Sequence, residues 1–166
     1  MAQLTWQRID VDDDFEAVQR LYLERGWTDG LPVVPPTPER VEAMLAGTSL
    51  PSEHVVAEVP PQWGAATVEK LAINAVMAGC LPEYLPVIVA AVSALGDPSF
   101  NLFLVQTTTH PAAPLIIVNG PLRKALGLNS SSGAYGPCWR ANATIGRALR
   151  LVLLNVGGGY PGVGDM

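Results

Sequence analysis

The stretch TTTHPAAPLIIVNGP (residues 107–121) and its continuation LRKALGLNSSSGAYGPCWRANATIGRALR (residues 122–150) decide the fold. The first part reads as a strand at residues 114–119, and its continuous apolar run at residues 115–118 predicts that this strand is covered on both faces. The second part combines a Gly/Ser loop at residues 129–137 with a helical pattern over residues 141–156. Reactive side chains stand at the joints between these elements, so we expect a functional site here.

Working outward, helical spacing dominates the rest of the chain. Helices are predicted at residues 12–25, 37–46, 67–78, 83–95 and 121–126, an extended stretch at 53–59 and a second strand at 100–106. The sequence therefore predicts a mixed α/β (α+β) fold with a small sheet, in one helix-rich domain over residues 1–166. The Gly-rich tail, residues 157–166, has no fold signal of its own and is predicted to lie at a partner interface.

The composition indicates which kinds of partner the chain can bind. Charged residues make up only 15% of the chain, against about one quarter in typical domains, which favours oligomerisation over a compact helix-rich monomer. Residues 1–60 hold most of the acidic side chains, whereas the rest is mildly basic. An acidic front argues against nucleic-acid binding. The basic remainder suits a small anionic ligand.

The location of the chain is predicted from the segments that it lacks. Its first residues, MAQLTWQRIDVDDD, are polar and contain no signal-peptide core. The apolar run at residues 84–96 is too short to span a bilayer and contains Pro86. Two cysteines do not make a disulfide scaffold. We expect a cytoplasmic protein that does not bind a membrane.

The Gly/Ser loop and the helix after it form the strongest candidate binding site. Backbone N–H groups, hydroxyls and a helix N terminus can hold a carboxylate, phosphate or sulfonate. This loop matches neither the P-loop motif nor GxGxxG, and many loops of this composition bind nothing. The predicted substrate-binding residues in this region are Ser131, Ser132, Trp139, Arg140 and Asn142.

Three residues are candidates for the chemistry itself: Cys138, Cys80 and His110. A helix N terminus and an adjacent arginine both stabilise a thiolate, which makes Cys138 the better nucleophile of the two thiols. Cys80 lies at the tip of a predicted helical hairpin, and His110 follows a predicted strand, where acid–base work or ligation is feasible. The three together could hold a transition-metal ion, although no pair has motif spacing. The alternatives are packed cysteines and a structural histidine.

Trp27 and Asp29 are further candidates for substrate binding. They lie in the segment GWTDGLPVVPP (residues 26–36), whose prolines force an extended path. Such a segment either lines a cleft or wraps a partner. The alternative is that Trp27 anchors the segment to the core and Asp29 caps a turn.

Four runs carry a family resemblance: WTDGLPVVPPTPERV (27–41), VEKLAINAVMAGCLPEYLPVIVAAV (68–92), HPAAPLIIVNGP (110–121) and GPCWRANATIGRALRLVLLN (136–155). They resemble an uncharacterised bacterial family associated with UGSC-type (seleno)proteins, whose partners carry a UGSC motif with cysteine or selenocysteine. The resemblance implies redox or thiol chemistry shared between two polypeptides. The matching positions are Trp27, Asp29, Cys80, His110, Asn119, Cys138, Trp139, Arg140 and Asn142.

The favoured hypothesis is therefore a subunit of a hetero-oligomeric enzyme of the oxidoreductase or lyase class. It would perform thiol- or metal-dependent chemistry, redox in the first instance, on a small anionic molecule, and a second polypeptide would complete the active site. The first alternative is a non-catalytic scaffold that binds a redox partner protein. The second is a metal-dependent hydrolase or lyase.

Overall fold

Two helices form the centre of the fold, α3 (Val68–Ala78) and α7 (Arg140–Asn155), in a computed structural model that describes residues 7–165. These two helices share the largest interface between any two elements. Small buried residues, among them Ala72, Ala75 and Ala148, let the two helices approach closely. The polar loop before α7 is thereby fixed relative to the end of α3.

The remaining helices surround this pair. α2 packs against α3, and α4 packs against both α3 and α7. The bounds are α1 (Phe15–Glu24), α2 (Pro38–Leu45), α4 (Leu85–Leu95), α5 (Leu102–Thr107) and α6 (Pro121–Ala125), with 3-10 turns at Pro82–Tyr84 and Pro98–Phe100.

Local sequence chemistry sets the helix ends. Asp14 caps α1 by accepting a hydrogen bond from the Ala17 N–H at 2.8 Å, and Thr67 caps α3 in the same way. Gly79 ends α3 in the left-handed conformation, with φ of 85°. The turn at Gly79 carries the chain directly to Cys80.

The sheet is a single antiparallel hairpin of β1 (Val55–Val59) and β2 (Gly64–Thr67) in the described part of the chain. Gly64 passes so close to the end of α7 that an added Cβ would lie 2.0 Å from the Val156 carbonyl oxygen. A side chain cannot be accommodated there, because the atom in the way belongs to the backbone. The hairpin is therefore locked against the C-terminal end of α7.

The fold class is confirmed as mixed α+β, a helix-rich single domain with a small sheet. The positions of the predicted strands were wrong. Residues 100–106 form a 3-10 turn and α5, because Leu102 and Gln106, four residues apart, bury the same helical face. Residues 114–119 belong to no strand, and Leu115 and Ile117 are exposed instead of covered.

The described part of the Gly-rich tail packs against the hairpin. The Gly157 carbonyl accepts a hydrogen bond from the Gln62 N–H at 2.9 Å, and the Gly159 N–H donates to the Leu153 carbonyl at 3.1 Å. Both glycines are buried, and an added Cβ would lie 2.5 Å from the Pro60 carbonyl oxygen at Gly157 and 2.7 Å from Gln106 Nε2 at Gly159. The last residue, Met166, lies outside the described residues.

Across residues 7–165, no single helix is both long and apolar enough to cross a membrane. One pair bent by 69°, Pro82–Leu95 with Pro98–Thr107, meets the length and composition criterion together.

Candidate functional site at the start of the last helix

Arg140 joins the start of α7 to the end of α3. Its Nε and Nη2 groups both donate to the Gly79 carbonyl oxygen, at 3.0 and 2.9 Å. A cation at this position complements the negative end of the α3 dipole. The sequence predicted that Arg140 binds a small anion. In the structure, the Nε and Nη2 donors of Arg140 are instead used by the Gly79 carbonyl oxygen.

Asn142 holds the Gly/Ser loop against the first turn of α7. Its Oδ1 accepts from the Asn129 N–H at 2.9 Å, and its Nδ2 donates to the carbonyls of Asn129 at 2.9 Å and Ala134 at 3.1 Å. Both amide hydrogens are thereby used. Asn142 positions the loop, and its side chain has no donor left for a substrate.

Hydrogen bonds within the loop also hold the backbone at Ser131 and Ser132. The Ser131 N–H donates to Asn129 Oδ1 at 3.0 Å, and Asn129 Nδ2 donates to the Ser132 carbonyl at 2.9 Å. Both serines are exposed, and neither hydroxyl is engaged within the described residues. Their hydroxyls remain open to a ligand beside α7.

Asn142→Ala tests this role for the amide. The substitution removes three hydrogen bonds, so we expect residues 129–134 to lose their fixed conformation while α7 stays folded. Hydrogen exchange should become faster at the backbone amides of this loop and stay unchanged in the middle of α7. Thr144→Ala is the matched control, because the Thr144 hydroxyl bonds only the carbonyl of Arg140 on its own helix. If amide exchange at residues 129–134 is unchanged in Asn142→Ala, the Asn142 side chain does not position this loop.

Cys138 is the exposed thiol of the pair. It precedes the N-cap residue Trp139, whose side chain makes no capping hydrogen bond and is itself exposed. Its backbone φ is 82°, in the left-handed region, which costs a non-glycine residue about 1–3 kcal/mol and is concentrated at functional sites. The thiol is thus held in solvent beside the positive end of α7.

Cys80 is in the opposite situation. It is buried, and its Sγ donates to the Thr144 carbonyl oxygen at 3.3 Å. Desolvation of the thiolate raises the pKa of Cys80 to about 11, against the weaker opposing effects of Thr144 and Arg140. Cys80 is therefore a protonated thiol at neutral pH, which disfavours it as a nucleophile.

His110 does not join the two cysteines. It lies exposed in a turn after α5, where its Nδ1 is 3.3 Å from the Thr108 hydroxyl. Within the part of the chain that the structure describes, no three His, Cys, Asp or Glu side chains are close enough to hold a metal ion together. The predicted ligand set of Cys80, Cys138 and His110 is not assembled within this chain, because the two cysteines flank the start of α7 whereas His110 follows α5.

Asp29 forms a bidentate ion pair with Arg147 of α7. Arg147 Nε and Nη2 donate to the two carboxylate oxygens at 2.9 Å each, and Nη2 also bonds the carbonyls of Leu31 and Pro32. Partial burial by itself raises the pKa of Asp29, but the hydrogen bonds and charge of Arg147 outweigh it and lower that pKa below its ordinary value. The pair ties the extended segment to α7.

Trp27 lies two residues before Asp29 and anchors the same segment. Its ring meets Tyr22 edge to face at 5.7 Å, and its carbonyl accepts from Asn155 Nδ2 at 3.1 Å. It also lines a cavity of about 540 Å³ between α1, α3 and residues 35–38. None of the other predicted site residues lines this cavity, so Trp27 is separated from the start of α7.

The structure thus brings Cys80, Cys138, Arg140, Asn142 and the serine loop to one region and leaves His110, Trp27 and Asp29 outside it. Sequence reasoning missed Arg147 as the partner of Asp29. The spacing of Arg140 and Arg147, two helical turns apart, was an available signal, because it places both guanidiniums on one side of α7. The buried Asn74–Asn155 hydrogen bond of 2.8 Å had no sequence signal.

Comparisons with protein-family models, with curated proteins and with solved structures found no match to this chain. The family resemblance given above therefore stays a prediction.

Proposed function

We propose that this chain is a subunit of a hetero-oligomeric enzyme in which Cys138 supplies the reactive thiol. The observation that carries the proposal is the placement of Cys138: exposed, in a left-handed backbone conformation, immediately before the uncapped N terminus of a 16-residue helix. A nucleophilic or redox-active thiol needs this access and a nearby positive potential. Cys80, buried behind Arg140, has a packing role.

The substrate in this proposal is a small anion. The first-turn N–H groups of α7 receive no side-chain cap, and the exposed Ser131 and Ser132 hydroxyls lie on the adjoining loop. An anionic group held there would be stabilised by the helix dipole, next to the sulfur of Cys138. Arg140 acts mainly by holding α3 and α7 together.

The second polypeptide in this proposal covers the site. Cys138 and Trp139 are both exposed, and Tyr135 is 92% exposed, whereas active sites exclude water during reaction. The same exposed aromatics favour the second candidate function, a non-catalytic scaffold that docks a redox partner protein. A scaffold would have no need of a reactive Cys138, which separates the two candidates.

Native mass spectrometry of the complex purified from its source organism tests the shared site. We expect the chain to be bound to a different polypeptide, and Tyr135→Lys to weaken that complex. Leu31→Lys is the control, since Leu31 is exposed on a different segment. A complex that contains only copies of this chain would contradict the proposal.

A further inference from the structure

The cavity of about 540 Å³ between α1, α3 and residues 35–38, called here the α1–α3 cavity, lies far from the proposed thiol site. Its volume falls within the range of roughly 300–1,000 Å³ that small-molecule sites occupy. Asn155, the last residue of α7, lines it. Because α7 has 16 residues, about 24 Å separate its two ends, and Cys138 precedes the opposite end. The cavity is therefore a separate candidate site.

The walls of the α1–α3 cavity are mainly apolar and partly aromatic. The apolar lining residues of the two helices lie at helical spacing: Val18, Leu21 and Tyr22 on α1, and Ile73 and Met77 on α3. Trp27 lines the cavity beside Tyr22, with the two rings edge to face at 5.7 Å. Walls of this kind suit a flat apolar group such as an aromatic ring.

Asn74 offers a buried hydrogen-bond donor on the face of α3 that lines the cavity. The residue is only 4% exposed. One hydrogen of its amide is donated to the Lys70 carbonyl at 2.9 Å, and its Oδ1 accepts from Asn155 Nδ2 at 2.8 Å. Within residues 7–165, the second amide hydrogen has no protein acceptor. Buried donors are normally satisfied, so this group calls for an acceptor.

Lys70 supplies a positive charge one helical turn before Asn74, and it also lines the cavity. Its Nζ donates to the Ala65 carbonyl at 2.8 Å, which leaves two hydrogens. Lys70 forms no ion pair in the described part of the chain. The available groups of both residues are thus donors, and one of them is charged. An anionic acceptor such as a carboxylate satisfies both.

Residues 7–11 close one side of the α1–α3 cavity. They are exposed to solvent. Among the described residues they form no hydrogen bond with another element, and the Arg8–Asp10 ion pair lies within the segment itself. Hydrogen bonds therefore do not fix this segment over the cavity, and a ligand can enter by displacing it.

We propose that the α1–α3 cavity binds a small carboxylate with an aromatic body. Lys70 and Asn74 hold the carboxylate through charge-assisted hydrogen bonds, and the apolar walls enclose the ring. This inference goes beyond the proposed thiol function and does not depend on it. Cys138→Ser should leave binding in the cavity unchanged, and slow alkylation of Cys138 would contradict the thiol proposal alone.

A methyl NMR titration of the full chain with 3-phenylpropionate tests the proposal. We expect saturable shifts of the Ile73 and Met77 methyl signals, which report on the cavity walls. The signals of Ile117, which is exposed outside the cavity, should not move. The neutral analogue 3-phenylpropionamide should bind about tenfold more weakly, because it has no charge to strengthen the hydrogen bonds.

Variants of Lys70 test the charge directly. Lys70→Met should bind the carboxylate about tenfold more weakly and no longer prefer it to the amide, whereas Lys70→Arg should keep the preference. Lys124→Met is the matched control, because Lys124, the other lysine of the chain, is exposed on α6. Circular dichroism should match in all the proteins, since the Lys70 side chain is itself exposed.

A wild type that binds neither compound would overturn the inference, as would equal affinity for the carboxylate and the amide. Shifts at Ile117 without shifts at Ile73 would place the ligand elsewhere and overturn it as well. A folded Lys70→Met protein that keeps the preference for the carboxylate would contradict the role of Lys70 on which the inference depends.

Discussion

Leu151→Ala should destabilise the protein by about 4 kcal/mol, the largest effect that we expect from a single side-chain truncation. Leu151 has no solvent exposure and lies on α7, the helix that packs most extensively against α3. Truncation removes the transfer free energy of the buried atoms and leaves a cavity between rigid helices. The free energy of unfolding is measured by urea titration at one fixed protein concentration.

Leu23→Ala is the matched control for this truncation. Leu23 is a helical leucine of α1 that is exposed to solvent, so the same chemical change should cost less than about 0.5 kcal/mol. Equal losses in the two variants would show that the α3–α7 interface is not the centre of the core.

Arg147→Ala should cost about 3 kcal/mol, because it breaks a mostly buried pair and leaves the Asp29 carboxylate without its partner. The side chains of the pair are only 20% and 16% exposed. Arg147 also supplies the hydrogen bonds to the Leu31 and Pro32 carbonyls. Loss of these bonds should release residues 29–32 from α7, which faster amide exchange in that segment would reveal.

Arg150→Ala provides the comparison on the same helix. Its ion pair with Asp165 is longer, 3.2 Å, and the two side chains are 38% and 31% exposed. Solvent screening at that exposure limits its contribution to less than about 1 kcal/mol. Similar costs for the two arginines would contradict the anchoring role of Arg147.

The Asp29 pair also predicts a pH dependence. Because folding lowers the pKa of Asp29, the pair stabilises the protein above the unfolded pKa, about 4 for aspartate, and this stabilisation is lost as the pH falls through the lower folded pKa. Asp29→Asn should be less stable than the wild type at neutral pH, and the difference should shrink on acidification. A stability difference that does not change with pH would show that the ionised Asp29 carboxylate is not its cause.

Apart from α5, which was predicted as a strand, the sequence predicted the helices well because their periodicity and caps are local. Asp14, Thr67 and Gly79 set helix ends through contacts within a few residues, and these positions were readable from the chain. The apolar run at residues 115–118 was misread as a covered strand, because an apolar run does not show whether neighbouring strands are present to cover it. Whether a neighbouring strand exists is a non-local fact.

The candidate site was predicted in outline but not in the roles of its residues. Sequence reasoning grouped Cys80, Cys138, Arg140 and Asn142 with His110, Trp27 and Asp29. The structure brings the first four together and leaves the other three outside that region. The carbonyl groups that accept hydrogen bonds from Arg140 and Asn142 could not be predicted. For Arg140, the reason is that the Gly79 oxygen is distant in sequence. The two cysteines differ in solvent exposure. This difference depends on the packing of α3 against α7.

Timed alkylation of the native protein tests whether Cys138 is a reactive thiol at an anion site. Iodoacetamide is added near neutral pH, with and without inorganic phosphate, and peptide mass spectrometry follows each cysteine. We expect Cys138 to react more than about 100-fold faster than Cys80, because the Cys80 thiol is buried and protonated. We also expect phosphate to slow Cys138 alone. Two thiols that are equally inert until the protein unfolds would contradict the account and favour a scaffold.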